Sequence, residues 1–195
     1  MNRLTRADLF GLEEYAQKRQ EYRARVMAHK KHRKVHLGEH ITLYFEDRLT
    51  MQYQIQEMLR AERIFEAAGI QEELDTYNPL IPNGNNWKAT MMVEYSDIEE
   101  RKQALARLIG VERKVWVQVG ELEKVYAIAD EDLERETQLK TSAVHFLRFE
   151  LSPEMVSSVL AGATISMGVA HKNYQAEWIV EAAVRDSLLG DLNNN

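Results

Sequence analysis

Residues 44–82, YFEDRLTMQYQIQEMLRAERIFEAAGIQEELDTYNPLIP, decide the fold of this chain. They predict a strand end, a central helix over residues 51–68 that Gly69 closes, a short helix over residues 70–77, and a loop that contains prolines. At about 100° per residue, the apolar side chains of the central helix gather on one side. They are Met51, Ile55, Met58, Leu59, Ala61, Ile64, Phe65 and Ala68. The sequence therefore predicts a helix that packs one face against the core.

Polar residues interrupt this apolar face. Glu57 and Glu62 lie among its apolar residues, and Gln54 lies between Phe65 and Ala61. A carboxylate in that position must find a cation or hydrogen-bond donors, or stay protonated, because burying it alone is costly. Two interpretations are open: a structural ion pair, or a polar pocket built on the central helix.

The N-terminal segment supplies matching charges. Residues 5–8 carry an N-cap pattern, and a long helical pattern without proline follows. Arg19 and Arg23 lie on the apolar face of that helix, where they would be buried with their aliphatic neighbours. We expect one of them to pair with Glu57 or Glu62, because complementary burial accounts for both interruptions.

Charge is distributed unevenly along the chain. The net charge is −6, but residues 1–40 hold ten Lys or Arg and five Asp or Glu. A long basic helix is predicted over residues 1–36, and its segment 23–36 holds six Lys or Arg and three His. We expect this basic segment to be a solvated helix end or a contact for an acidic protein. Nucleic-acid binding is predicted to be weak at most, since no aromatic residue interleaves the segment to stack bases.

Length and composition set the outer limits. A chain of 195 residues predicts one domain over residues 1–190 and a frayed tail over residues 191–195. There is no cysteine, which excludes disulfides, thiolate zinc sites and self-ligated iron–sulfur clusters. The first residues lack the apolar core of a signal peptide, and no stretch approaches the roughly 18 apolar residues of a membrane span. We expect a soluble, cytoplasmic protein with no membrane partner.

The remaining patterns predict short strands and helices. The predicted strands cover residues 41–46, 89–95, 115–119, 123–129, 143–151 and 164–170. The predicted helices cover residues 97–109 and 130–138, a segment that begins at Ser152-Pro153, and residues 174–189. The short gap between the third and fourth strands is typical of a hairpin, and no glycine-rich loop follows a strand. The fold class is therefore α+β: a mostly antiparallel sheet of about six strands, with the long N-terminal helix, the central helix and a C-terminal helix packed around it.

A site, if the chain has one, is expected between the central helix and the loop of residues 77–87, near His145. The candidate pocket residues are Glu46, Arg48, Gln54, Glu57, Glu62, Arg63, Asp75, Asn78, His145 and Arg148. The alternative is a loop that covers a hydrophobic edge and a His145 that belongs to the core. No HExxH or GxSxG motif is present, so we assign no metal site, no catalytic residue and no cofactor.

Several segments resemble a bacterial family of about this length, known as a domain of unknown function. They are FEDR (45–48), QIQEMLRAER (54–63), ELDTYNPLIP (73–82), AVHFLRFEL (143–151) and the early TRADLFGLEEY (5–15). The resemblance implies an association with operons that encode rubrerythrin and an iron–sulfur oxidoreductase, hence with peroxide defence or electron transfer. It implies no activity and no site.

Two hypotheses of different class follow. The first is a non-catalytic accessory or interaction protein of a bacterial redox system, which self-associates and binds a protein of the iron–sulfur oxidoreductase or rubrerythrin system that the resemblance implies. The second is an enzyme, or a binder of a small anion or metal, with a polar pocket on the central helix. The arrangement of the polar side chains distinguishes the two hypotheses. Side chains that converge on an open cavity would favour the enzyme or binder, and side chains that pair with each other in a dry core would favour the accessory protein.

Overall fold

The computed structural model describes residues 3–129, 131 and 140–193. These residues form helices and strands of the expected α+β class. The helices are α1 Leu12–Lys30, α2 Arg48–Ala61, α3 Ala67–Tyr77, α4 Ile98–Arg107, α5 Pro153–Leu160 and α6 Ala182–Leu189. The strands are β1 Lys34–Leu37, β2 Ile41–Phe45, β3 Asn86–Val93, β4 Val115–Val119, β5 Val125–Tyr126, β6 Ile128–Ala129, β7 Val144–Glu150, β8 Ile165–His171 and β9 Tyr174–Ile179.

The strands form two antiparallel sheets that share one core. The first sheet has the order β1-β2-β3-β7-β6 and the second the order β5-β4-β8-β9. At one seam the chain passes directly from one sheet to the other, because only Ala127 separates β5 of the second sheet from β6 of the first. The Ala127 N–H donates to the Val115 carbonyl of β4 (2.9 Å). At the other seam β9 lies against β1, where the Tyr174 hydroxyl donates to the Leu37 carbonyl (2.5 Å). Gly38 makes this approach possible, since a Cβ there would lie 2.6 Å from the Tyr174 hydroxyl oxygen.

Alternating residues of the strands fill the core between the two sheets. In β7, His145, Leu147 and Phe149 are buried, while the residues between them are partly exposed. Trp87 of β3 is fully buried and donates its indole N–H to the Leu188 carbonyl of α6 (3.1 Å). Burying each large apolar side chain contributes about 1.5–3 kcal/mol. Two smaller apolar clusters lie among α1, α2, α3 and the N-terminal segment.

The central helix begins and ends earlier than the sequence predicts. Asp47 caps it, because its side chain accepts the Thr50 N–H (2.9 Å) while the Thr50 hydroxyl accepts the Asp47 N–H (2.9 Å). At the other end Arg63 has a positive φ of 57°. The Ile64 N–H then donates to the Leu59 carbonyl (2.9 Å), the bond that closes a Schellman motif.

The predicted helix over residues 51–68 is therefore wrong beyond Ala61. Gly69, which was expected to end it, lies inside α3. The sequence pattern misleads here because the left-handed position is occupied by an arginine instead of the glycine that such positions favour. As a result Phe65, expected on the buried face, is 70% exposed.

The N-terminal helix is shorter than predicted at both ends. The capping box of Thr5 and Asp8 is present, but it closes a 3-10 turn over Arg6–Asp8, and α1 begins only at Leu12. After Lys30 the chain turns and forms β1, which was predicted as helix. The burial of β1 alternates and the strand pairs with β2, so pairing with a neighbour decides this segment.

The predicted C-terminal helix over residues 174–189 is wrong in its first part. The chain turns at Lys172 and Asn173 and returns as β9, which pairs with β8 before α6 begins. Asp191 and Leu192, which were expected to belong to a frayed tail, are buried. The predicted helix over residues 130–138 lies outside the described residues apart from Glu131.

The additional strands β1 and β9, and the division of the fourth predicted strand into β5 and β6, account for the larger number of strands. α4 and α5 form where they were predicted. Among the described residues, no helix is long and apolar enough to cross a membrane.

Candidate functional site

Glu57 of the central helix is held in an ion pair with α1, as predicted. Arg19 donates Nε to Glu57 Oε1 (2.8 Å) and Nη2 to Oε2 (2.7 Å). The buried Tyr15 hydroxyl also donates to Oε1 (2.6 Å). The Arg19 hydrogen bonds are the main cause that lowers the pKa of Glu57. Arg23 and Glu62, the other two residues considered for this pair, are exposed.

Two further candidates at the start of α2 are also occupied within the protein. Glu46 is buried, and its carboxylate accepts hydrogen bonds from the Thr50 hydroxyl (2.6 Å) and the Thr90 hydroxyl (2.7 Å). Arg48 forms an ion pair with Asp8. These contacts join α2 to β3 and to the N-terminal turn, so they explain both side chains without a ligand.

Asn78 and His145 serve separate parts of the fold. The Asn78 amide accepts the Leu4 N–H (2.7 Å) and donates to the Leu4 carbonyl (2.9 Å), which fastens the N-terminal segment. His145 lies on the core face of β7, fully buried, with Nε2 2.9 Å from the Thr141 hydroxyl and 4.0 Å from a Glu112 carboxylate oxygen. The alternative of a core histidine therefore describes His145.

A buried arginine that the sequence does not mark holds several elements together. Arg33 is 2% exposed and donates to the backbone carbonyls of Phe45 (3.0 Å), Glu46 (3.0 Å) and Ser187 (3.2 Å). It pairs with Asp191 at 2.6 Å, and its Nε lies 3.4 Å from the Asp47 carboxylate.

The environment of Arg33 shifts the pKa values of both carboxyls. Burial raises the pKa of Asp191 to about 6, although Arg33 opposes that rise. Burial also opposes ionisation of Asp47, but Arg33, the Thr50 N–H and His29 together hold the pKa of Asp47 below its usual value. This network connects β1, the end of β2, the start of α2 and the end of α6.

Two candidate residues, Asp75 and Arg148, line one cleft between the end of α3 and strands β6 and β7. We call it the α3–β7 cleft; its volume is about 740 Å³. The other eight candidates do not line it. Glu62 and Arg63 are exposed at the end of α2, and Gln54 is half-buried on α2. Glu57, Asn78 and His145, which were expected to line one cavity, each bond to a different part of the protein.

A second feature lies at the seam between the sheets. Lys31, Lys34 and His36 line a groove of about 160 Å³ together with Trp178 of β9. We call it the β1–β9 groove. Trp178 is 51% exposed and its neighbour Ile179 is 64% exposed. The basic segment therefore has an aromatic neighbour after all, supplied by a strand far along the chain.

Nearly the whole chain matches a known family. The family described as "Protein of unknown function (DUF3501)" matches residues 3–192. The chain belongs to this family. It is similar to a protein of Burkholderia pseudomallei K96243, whose crystal structure is described as that of a novel protein of unknown function. The two are 52% identical, with a TM-score of 0.93 and coverage of 99% of this chain and 100% of the other. No curated protein matches the chain.

Membership of the DUF3501 family confirms the resemblance to a family of unknown function of about this length. The association with rubrerythrin and an iron–sulfur oxidoreductase stays a prediction.

Proposed function

We propose that this DUF3501 protein is a non-catalytic accessory protein of a bacterial redox or peroxide-defence system, and that it docks an acidic partner protein at the β1–β9 groove. The observation that carries the proposal is the exposed Trp178 beside Lys31, Lys34 and His36. The redox assignment rests on the sequence resemblance alone.

The polar side chains of the central helix support a non-catalytic role. Glu57 is neutralised by Arg19 and accepts the Tyr15 hydroxyl, and Arg48 is paired with Asp8. Such closed pairs stabilise the fold and offer no open position to a substrate. The hypothesis of an enzyme with a pocket on this helix loses its main support.

The form of β9 favours a protein partner. β9 is the edge strand of the second sheet: it pairs with β8 on one side, and its first residue, Tyr174, contacts β1 on the other. Exposed edge strands are sites where another chain can bind, and proteins usually protect them with charges or bulges. β9 carries one exposed charge, Glu177, and exposes Trp178 and Ile179 directly after it. Tryptophan is enriched among the residues that dominate the energy of protein interfaces.

The charge around the groove favours an acidic partner. Lys31 and Lys34 line the groove together with His36 and one acidic residue, Glu181, in a protein whose net charge is −6. An acidic protein is repelled by most of this surface and attracted to the groove, so long-range electrostatics orient the encounter. The partners to test first are the rubrerythrin and the iron–sulfur oxidoreductase of the same organism.

The experiment measures binding of each purified partner by biolayer interferometry at low and at physiological salt. Trp178→Ala is expected to weaken binding about 30-fold, the effect of roughly 2 kcal/mol at a central aromatic residue. Lys34→Glu is expected to slow association, most strongly at low salt. Tyr126→Ala and Lys172→Glu are matched controls, because they change an exposed aromatic residue and an exposed cation elsewhere.

Equal binding by the groove variants and the control variants would contradict the docking site. Failure of both partners to bind would contradict the redox assignment. Sedimentation of the protein without a partner tests whether the protein forms a dimer. If it sediments as a dimer that Trp178→Ala dissociates, the groove binds a second copy of this chain, and the proposed partner is wrong.

A further inference from the structure

We propose that the α3–β7 cleft binds a small organic carboxylate with an apolar body, and that the ligand's carboxylate pairs with Lys88. This inference concerns a different surface from the β1–β9 groove and does not rest on the docking proposal. It is carried by a pair of opposed cations, of which only Arg148 forms ion pairs with described carboxylates, and by the shape and lining of the cleft.

Two cations lie directly opposite each other in the first sheet. Lys88 of β3 is the register partner of Arg148 of β7, and both line the α3–β7 cleft. Like charges in directly opposed positions of a sheet are destabilising unless other charges compensate them. Arg148 is compensated, since Glu131 accepts from it twice (2.7 and 2.6 Å) and Glu150 also pairs with it.

Lys88 has no such direct ion pair among the described residues, and the charges of Glu150 and Glu131 act on it only from their places beside Arg148. Its ammonium donates to the Pro79 carbonyl (2.5 Å), and no described carboxylate forms an ion pair with it. Burial, and then the charge of Arg148, lower the pKa of Lys88, and the charges of Glu150 and Glu131 offset only part of that fall. A half-buried ammonium beside a second cation gains most from an anion that approaches through the open side of the cleft.

The walls of the cleft determine the rest of the ligand. Leu80, Ile128 and Phe146 line it, and its volume of about 740 Å³ lies within the range of small-molecule pockets. Ile128 is 41% exposed although it is aliphatic. An apolar body on these walls would remove that surface from water, at about 25 cal/mol per Å².

The neighbouring acids favour a carboxylate over a phosphate. Glu131 and Glu150 lie beside the cation pair, and Asp75 lies at the end of α3 on the same cleft. They repel a phosphate dianion about twice as strongly as a monoanion at the same distance. Lys88 offers one ammonium group without the fork of donors that favours phosphate. A single negative charge therefore fits the site best.

The experiment titrates the protein with octanoate by isothermal calorimetry. Octanol, with the same tail and no charge, and acetate, with the same charge and no tail, are each expected to bind at least about tenfold more weakly. Lys88→Met is expected to weaken octanoate binding at least about tenfold, as the loss of a charge-assisted hydrogen bond predicts. Lys172→Met is the matched control and should bind octanoate like the wild type.

A second variant keeps the inference testable if Lys88→Met does not fold. Ile128→Glu changes a partly exposed wall residue and places a carboxylate in the cleft, so it should abolish octanoate binding while thermal unfolding stays cooperative. The inference is overturned if octanoate does not bind at millimolar concentration, or if octanol binds as well as octanoate. It is also overturned if Lys88→Met binds octanoate like the wild type, which would leave Lys88 with only a structural role at Pro79.

Discussion

Replacing Arg33 with methionine tests the buried network most directly. Arg33→Met keeps the volume of an unbranched side chain but removes the cation that faces Asp191 and Asp47. It also leaves three backbone carbonyls without this donor. Removal of one partner from a buried ion pair costs about 3–5 kcal/mol, because the remaining charge is left uncompensated. We expect that loss in the free energy of unfolding near pH 7.

The loss of unfolding free energy in Arg33→Met should depend on pH, and the pKa values of Asp191 and Asp47 determine the direction of this dependence. Burial raises the pKa of Asp191 from 3.8 to about 6, so the folded state binds more protons than the unfolded chain between these values. Stability therefore falls as the pH rises through that window, by about 3 kcal/mol for a shift of this size. Without Arg33 the pKa of Asp191 rises further, and the fall becomes larger.

Asp47 acts in the same sense. Arg33 helps to hold the pKa of Asp47 below its usual value. The ionised Asp47 therefore stabilises the folded state when the pH is above the usual pKa of an aspartate, and this contribution is lost as the pH falls through the lowered pKa. Arg33→Met removes this contribution, so the difference between wild type and variant is largest at neutral pH. At about pH 4.5, where Asp191 is protonated, the difference should shrink to about 1–2 kcal/mol from the lost hydrogen bonds.

The assay is urea unfolding followed by circular dichroism at the two pH values. Arg101→Met, at an exposed position of α4, is the control and should change stability by no more than about 0.5 kcal/mol. The double variant Arg33→Met with Asp191→Asn should recover part of the loss at neutral pH, because it removes the stranded charge. A loss below about 1 kcal/mol at pH 7, or an equal loss at both pH values, would refute the reasoning.

Three other contacts give shorter predictions. Glu57→Gln should lower the free energy of unfolding by about 1–2 kcal/mol, less than a fully buried pair, because the Arg19 side chain is 34% exposed. Gly168→Ala should destabilise the protein and shift Trp116 fluorescence to longer wavelength, since the new Cβ would lie 2.5 Å from that indole ring. Asn78→Ala should release the N-terminal segment that its amide holds, which faster trypsin cleavage at the N-terminus would show.

Each of these has a control and a result that counts against it. Glu62→Gln removes an exposed carboxylate from the same helix and should leave unfolding unchanged; a similar loss in both variants would argue against the pair. Gly11 has no atoms close to an added Cβ, so Gly11→Ala should leave Trp116 fluorescence as it is. For the N-terminal segment, cleavage of Asn78→Ala at the wild-type rate would contradict the role of the amide, with Asn83→Ala as the matched variant.

The sequence predicts those helices and strands that are fixed by contacts between residues close together in the chain. The cap of α4 joins Asp97 to the Glu100 N–H (2.8 Å), and that of α5 joins Ser152 to the Met155 N–H (3.2 Å). Both bonds span three residues, so the sequence alone contains them. β7 is similarly legible, because its buried and exposed residues alternate without interruption.

The errors fall where a distant partner decides the structure. The β1 residues follow a basic helix and form a strand only by pairing with β2. The segment that becomes β9 reads equally well as part of an amphipathic helix until β8 lies beside it. Arg63 ends α2 in a left-handed conformation that no glycine announces.

The candidate site residues show the same difference between local and distant contacts. A carboxylate inside the apolar face of a helix predicts a cation that pairs with it, and Arg19 is that cation for Glu57. Lys88 was not among the candidates, because its importance comes from its position opposite Arg148 in the sheet register. Trp178 was missed for the basic segment because the two are far apart in sequence and meet only at the seam between the sheets.

Arg33 also connects the stability of the fold to the proposed docking surface. It lies in the sequence between Lys31 and Lys34, which line the β1–β9 groove, and it reaches Ser187 of α6, the helix that contributes Val184 to the same groove. The spacing of the two walls should therefore depend on its planar fork of donors. Arg33→Lys keeps the charge but cannot reach Asp191 and the carbonyls at once. We expect it to weaken partner binding several-fold more than Arg101→Lys while the exposed groove residues are unchanged, and full affinity in Arg33→Lys would show that the groove does not depend on this network.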